Sequence, residues 1–183
     1  NDNITFKINT KYIELLIAQE KFDEANNKIA NLELEAQKLS NPYRLGYCLR
    51  LKAQIQLYLG NLSKSTEYYF QALTKFKETK IDAMISLAYS DIAVISYYNE
   101  NYKQAAEKKK KSIELDEIAG KQNRTANTLS NLGLAYIEYG NLTKAETALQ
   151  KSLSLAKENN QKSVEASAYT NLTKLENTKK NYK

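Results

Sequence analysis

Histidine and tryptophan are absent from this 183-residue chain, and cysteine, methionine and proline occur once each. Without histidine there is no Ser-His-Asp triad, no two-histidine zinc helix and no imidazole switch near neutral pH. The lone Cys48 cannot close an internal disulfide, so cysteine usage says nothing about the redox compartment. Flanked by Tyr47 and Leu49 in a helical pattern, it is expected to pack as a small apolar residue. One proline, Pro42, and five glycines leave long helices with few interior breakers. No apolar run reaches the length of about 18 residues that a membrane span needs. Gly-rich phosphate loops, metal-ligand clusters and paired carboxylates are missing as well. Asp116 and Glu117 are adjacent and diverge on a helix. The expectation is a chain with no enzymatic role, no metal and no cofactor.

Charge is present in quantity but unevenly. The net charge is +6, with Lys and Arg balancing Asp and Glu 12 to 12 over residues 1–100 and exceeding them 15 to 9 over 101–183. A basic half could attract nucleic acid or an acidic partner. No nucleic-acid motif accompanies it, and Lys179, Lys180 and Lys183 crowd the end of the chain, so nucleic acid is the weaker reading. The run Lys108-Lys109-Lys110-Lys111 spreads around a helix and makes no single face. Lys108 and Lys109 align with Ala148 and Leu149, which predicts stems lying over core with the ammonium groups in water.

One short pattern recurs every 40 residues. Gly60-Asn61-Leu62-Ser63-Lys64-Ser65 returns as Glu100-Asn101-Tyr102-Lys103-Gln104-Ala105 and as Gly140-Asn141-Leu142-Thr143-Lys144-Ala145. The same interval reaches back to Glu20-Lys21-Phe22 and forward to Lys180-Asn181-Tyr182-Lys183. A fixed period of this size means units that bury their apolar faces only against neighbours. In the fourth unit Leu129, Leu132, Gly133, Tyr136 and Ile137 recur at helical spacing, Gly140-Asn141 breaks the pattern, and Ala145, Ala148, Leu149, Ser152 and Ala156 resume it. Gly140 supplies the left-handed residue that ends the first helix. Several Asn-x-Ser/Thr triplets fall along the chain, but Asn61 and Asn141 sit in the repeating turn, where asparagine suits the backbone.

The order Leu129, Leu132-Gly133, Tyr136, then Ala145, Leu149 and Ser152 resembles the tetratricopeptide repeat, whose consensus is W-x2-L-G-x2-Y followed by A-x3-F. The resemblance covers nearly the whole chain and implies an all-α, right-handed superhelical solenoid of antiparallel helix pairs. The expected single array fills 1–183, with repeats at about 4–40, 42–80, 81–120 and 122–160 and a partial one at 162–183. The helix pairs are expected at 4–18 with 22–39, 43–58 with 62–78, 81–98 with 102–119, and 123–138 with 142–158, then one helix at 162–177. Small residues fill the Gly133 column at Ala53, Ala93 and Thr173, because helices approach closely there; Ile13 departs, which predicts looser packing or an upstream helix. The opening Asn1-Asp2-Asn3-Ile4 lacks an initiator methionine and a signal pattern, and the fifth unit stops early, so a piece of a longer chain is expected.

The period exceeds the usual 34 by six residues, about a turn and a half of helix. Long repeats of this kind are similar to those of bacterial signalling and regulatory proteins. The family's first helices line a concave groove that holds peptides or partner proteins. Carried onto this chain, its groove positions give Tyr47, Arg50, Gln54, Ser90, Asp91, Val94, Tyr97, Asn127, Asn131, Asn171 and Lys174, together with Leu51, Ser130 and Ile137. Asn131 and Asn171 share a column, and their amides could pair with an extended backbone. The alternative is that they hold neighbouring elements. The helix Ile81–Tyr98 is apolar nearly all round, which predicts burial or an apolar strip offered to a partner. The ligand is then expected to carry an apolar anchor at one end. Arg50, Asp91 and Asn131 do not make the basic clamp by which family adapters grip a chaperone's carboxylate tail. The leading expectation is a non-catalytic peptide-binding module, the sensor or scaffold of a larger regulatory protein. The rivals are a self-associating spacer and a basic nucleic-acid solenoid. Compartment, cytoplasmic or periplasmic, depends on flanking sequence.

Overall fold

The computed structural model describes residues 2–181, with the backbone alone at Gln122. Among the described residues there are nine helices and no strand. They are α1 (Asp2–Ala18), α2 (Phe22–Lys38), α3 (Pro42–Tyr58), α4 (Leu62–Thr79), α5 (Asp82–Tyr98), α6 (Tyr102–Ile118), α7 (Gln122–Glu138), α8 (Leu142–Glu158) and α9 (Lys162–Asn181). The expected helix pairs are all present, with ends shifted by a few residues. Tyr182 and Lys183, where a second helix of the fifth unit was expected to begin, lie outside the described residues. The turn expected near Lys180 is not made, and α9 runs on through Asn181. The chain resolves into two compact units, Asn1–Ile81 and Asp82–Lys183.

In the first unit α1 packs on α2 and α3, α2 on α3, and α3 on α4. Ile13, Leu16, Ile17, Ile29, Leu32, Leu51 and Ile55 form its core with Cys48. Each such aliphatic side chain contributes about 1.5–3 kcal/mol when fully buried. Ile13 is fully buried among them, so the bulky residue in the small-residue column fills space rather than loosening the repeat. Burial also pushes the Cys48 thiol up to about 12, which makes it an unreactive packing group. Along α1, Ile4, Ile8, Tyr12 and Leu15 are exposed at helical spacing.

In the second unit α6 packs on α5 and α7, α8 on α7 and α9, and α9 also on α7. Close approach of α7 and α8 needs Gly133: a Cβ there would stand 2.5 Å from Leu149 Cγ. Small residues also let hydroxyls reach across, as Ser152 Oγ donates to the Ala126 carbonyl at 2.7 Å and Ser86 Oγ to that of Ser112 at 2.9 Å. The apolar helix α5 is largely buried through Ala83, Ala88, Ile92, Ala93 and Ile95, while Tyr98 is exposed.

The turns explain why every element has nearly the same length. A residue with positive φ stands every 20 positions: Glu20, Ser40, Gly60, Lys80, Glu100, Gly120, Gly140 and Asn160. Around Gly140 the Gly140 N–H donates to the Ile137 carbonyl and the Asn141 N–H to that of Tyr136, the two bonds of a Schellman cap. The next helix then starts on asparagine: Asn41, Asn101 and Asn141 accept from the backbone N–H three residues on. Asparagine is thus the cap, and the residue before it takes the left-handed conformation. At Lys80 the pattern changes, and the Ile81 N–H donates to Thr79 Oγ1.

Candidate functional site

Laying the second helices of the units over one another isolates two residues on α6. Ile29, Tyr69 and Leu149 share a buried column with Lys109; Ala36, Phe76 and Ala156 share another with Asp116. Two charged residues, seven apart and therefore on one helix face, stand where the other units place apolar groups. Burying a charge costs several kcal/mol unless it is paired and hydrogen-bonded.

The two solve this differently. Lys109 is 4% exposed, and its ammonium donates to Ser90 Oγ at 2.9 Å and to the Ser90 carbonyl at 3.2 Å. This corrects the expectation of an ammonium in water: the column faces inward, and the stem is too deep for the head to reach solvent. Desolvation pushes its pKa down to about 8, with the Asp91 carboxylate opposing the shift. Asp116 is 1% exposed and pairs through Oδ1 with Arg124 Nη2, which also donates to the Ala83 carbonyl at 3.0 Å. Lys108 is half-buried and holds its ammonium 5.8 Å from the Tyr89 ring, whereas Lys110 and Lys111 are exposed, so the lysine run makes no basic face.

Each charged residue lines an opening framed by α5 and α7. The first has a volume of about 220 Å³ and apolar walls from Val94, Tyr97, Leu134 and Ala135, with Lys109 and Asn131 as its polar groups. The second is about 440 Å³ and polar, lined by Ser86, Ser90, Ser112, Asp116, Arg124 and Asn127 among others. On both α5 and α7 the residues of the two openings lie seven to eight positions apart, for example Ser86 and Val94, or Asn127 and Leu134. At 1.5 Å per residue the openings are about 10–12 Å apart.

The structure sorts the residues expected in a groove. Val94, Tyr97 and Asn131 meet at the apolar opening, and Ser90 and Asn127 at the polar one. Asn171 does not stand beside Asn131 as a free amide: its Nδ2 donates to Ser130 Oγ at 3.0 Å, tying α9 to α7. Lys174 pairs with Glu138, which also accepts from Tyr97 Oη at 3.2 Å. Burial and that carboxylate push the Tyr97 phenol up to about 12. Asp91 is half-buried beside Ser90. In the first unit Tyr47 is committed to packing, with its ring 6.1 Å from Phe6 and 5.7 Å from Phe76. Arg50 pairs with Glu14 at 3.2 Å, and Gln54 is half-buried. Leu51, Ser130 and Ile137 are buried, because those positions face the neighbouring helix. Sequence reasoning missed Glu138, Asp116 and Arg124. The core column of Asp116 was the available signal; Glu138 gave none, since its partners lie 41 and 36 residues away.

Among the described residues no cluster of His, Cys, Asp and Glu could hold a metal ion, and no helix is long and apolar enough to cross a membrane.

Residues 84–158 match the family model of the tetratricopeptide repeat. No curated protein matches the sequence. Among solved structures, apo RapI superposes with a TM-score of 0.79 at 16% identity, over 92% of this chain and 61% of that one. A signal-transduction ATPase with a tetratricopeptide repeat sensor, from Pyrococcus horikoshii, gives 0.79 at 22% identity, over 95% of this chain and 27% of that one. BtubC (BKLC) from P. vanneervenii gives 0.73 at 15% identity, over 93% and 78%. The chain therefore spans less than two thirds of RapI and about a quarter of the ATPase. At these identities the likeness is one of fold. The chain shares the all-α repeat fold of these structures, and its residues 84–158 match the tetratricopeptide repeat expected from the sequence.

Proposed function

We propose that this chain is a non-catalytic binding module and that its second unit holds an extended peptide or partner segment along α5 and α7. The observation that carries the reading is the pair of neighbouring openings on those two helices, one apolar and one polar. A cavity of about 150 Å³ already accepts a benzene-sized group, so the 220 Å³ opening has room for one large apolar side chain. In an extended strand, residues four apart share a face and stand about 13 Å from each other, close to the distance between the openings. Asn131, half-buried at the apolar opening with no side-chain hydrogen bond among the described residues, offers a donor and an acceptor to a backbone crossing it. The sensor-bearing ATPase supports placing the module inside a larger regulatory protein as its sensor or scaffold.

The test uses random dodecapeptides displayed on phage, selected against the full 183-residue chain. Val94→Trp fills the apolar opening and leaves no room for a ligand side chain there. Selected peptides should lose at least tenfold in affinity for that variant, with its helical circular dichroism unchanged. Equal affinity for wild type and variant would sink the groove reading.

A second reading rests on α1. The exposed Ile4, Ile8, Tyr12 and Leu15 form an apolar face suited to another helix, so self-association is its natural use. Sedimentation equilibrium should then report dimers that Ile8→Glu dissociates; a monomer at all concentrations removes this reading.

A further inference from the structure

The Asp116–Arg124 pair has bonding capacity that the protein leaves unused. Arg124 makes both of its hydrogen bonds through Nη2, and its side chain is 35% exposed. Asp116 accepts through Oδ1 alone, and its Oδ2 has no protein donor among the described residues. Arg124 Nε is buried with no hydrogen-bond partner, which is costly, and the columns above make the charged pair avoidable, because Ala36 and Ala156 occupy the Asp116 position. The hydroxyls around the opening are oriented as well. Ser86 and Ser112 lie 3.0 Å apart, oxygen to oxygen, with Ser86 donating to the Ser112 carbonyl, and Thr128 donates to the Arg124 carbonyl at 3.0 Å. Their protons are spent inside the protein, which leaves oxygen lone pairs available to a donor.

We infer that the polar opening between α5, α6, α7 and α9 is a subsite for a side-chain carboxamide, so that the bound segment carries asparagine or glutamine there. This rests on the peptide-binding reading above and names its second determinant. The charge balance selects the class. Asp116 and Arg124 neutralise one another, and Lys109 stands behind Ser90. A ligand ammonium would add a cation beside Arg124, and a ligand carboxylate would face Asp116. A carboxamide carries no net charge, and it sets two N–H donors beside one carbonyl acceptor. The donors suit Asp116 Oδ2 and the serine oxygens, and the acceptor suits Arg124 or Asn127. A hydroxyl has a single donor and satisfies only one side.

The experiment selects the same phage-displayed dodecapeptides on wild type and on the double variant Asp116→Ala/Arg124→Met. Both replacements are residues found in the same columns, Ala156 and Met84, and helical circular dichroism of the double variant checks that the fold is kept. Wild-type selection should enrich Asn or Gln at one position spaced about four residues from an apolar one. Changing that residue to Asp or Leu in a synthetic peptide should weaken binding about tenfold or more, since polar groups of the opening are then left unpaired. The double variant should keep the apolar preference and lose the carboxamide one. Peptides enriched without Asn or Gln, or a carboxamide preference that survives in the double variant, would overturn the inference and leave the groove reading standing. Failure of wild type to enrich any peptide would overturn both.

Discussion

The Lys109 ammonium of α6 donates to the Ser90 hydroxyl of α5 at 2.9 Å and to the Ser90 carbonyl at 3.2 Å. A folded-state pKa near 8, against 10.5 for a free lysine, means the unfolded chain holds this proton after the folded one has lost it. Between those values the unfolded state binds more protons, so this lysine makes stability rise with pH. Lys109→Leu, which copies Leu149, should therefore be more stable than wild type at pH 7, by on the order of 3 kcal/mol at most. The gap should close as pH climbs from 8 towards 10. Urea unfolding of both proteins across that range measures it, and a gap independent of pH would contradict the buried-ammonium geometry.

Gly133→Ala should destabilise the second unit by about 1–3 kcal/mol, because the added methyl meets Leu149 Cγ at 2.5 Å. Pairing it with Leu149→Ala tests the cause, since the two changes should then be less than additive in thermal unfolding. Strict additivity would place the strain elsewhere.

Glu100 adopts φ 57° at a position equivalent to Gly60 and Gly140. An L-residue in this region costs roughly 1–2 kcal/mol, part of which glycine returns to the unfolded chain as entropy. Glu100→Gly should raise the melting temperature by about 1–4 °C, and Gly140→Ala should lower it by a similar amount. Calorimetry on the two variants decides both signs.

Cys48 is fully buried with its thiol pushed up to about 12. At pH 8 a maleimide or aromatic disulfide reagent should label it only when the first unit opens. Labelling should follow the denaturant midpoint of that unit, and rapid labelling of the native chain would show that α3 is less well packed than described.

These variants also mark what the sequence could convey. The Gly60, Glu100 and Gly140 turns recur at a fixed interval, and the backbone conformations they need follow from local chemistry, so the helix pairs were legible. Small residues at Ala53, Ala93 and Gly133 revealed close helix approach for the same reason. The site was legible only as a set of columns. Lys109 was recognisable as out of place beside Ile29 and Leu149, yet its destination depended on where Ser90 stood on another helix. Asn131 and Asn171 illustrate the limit: one column, two fates, because Ser130 happens to lie within reach of the second. Glu138 joins Tyr97 and Lys174 through tertiary placement alone.

Left-handed residues at every twentieth position leave only two or three residues between consecutive helices. Most proteins place recognition on variable loops, which can lengthen or change without disturbing the scaffold. Here no connection is long enough for that. On the proposed binding role, specificity changes on helix surfaces by substitution, one side chain at a time, at addresses that repeat by 40. Such a surface can be re-engineered by transplanting residues between equivalent addresses, with the backbone left as it is.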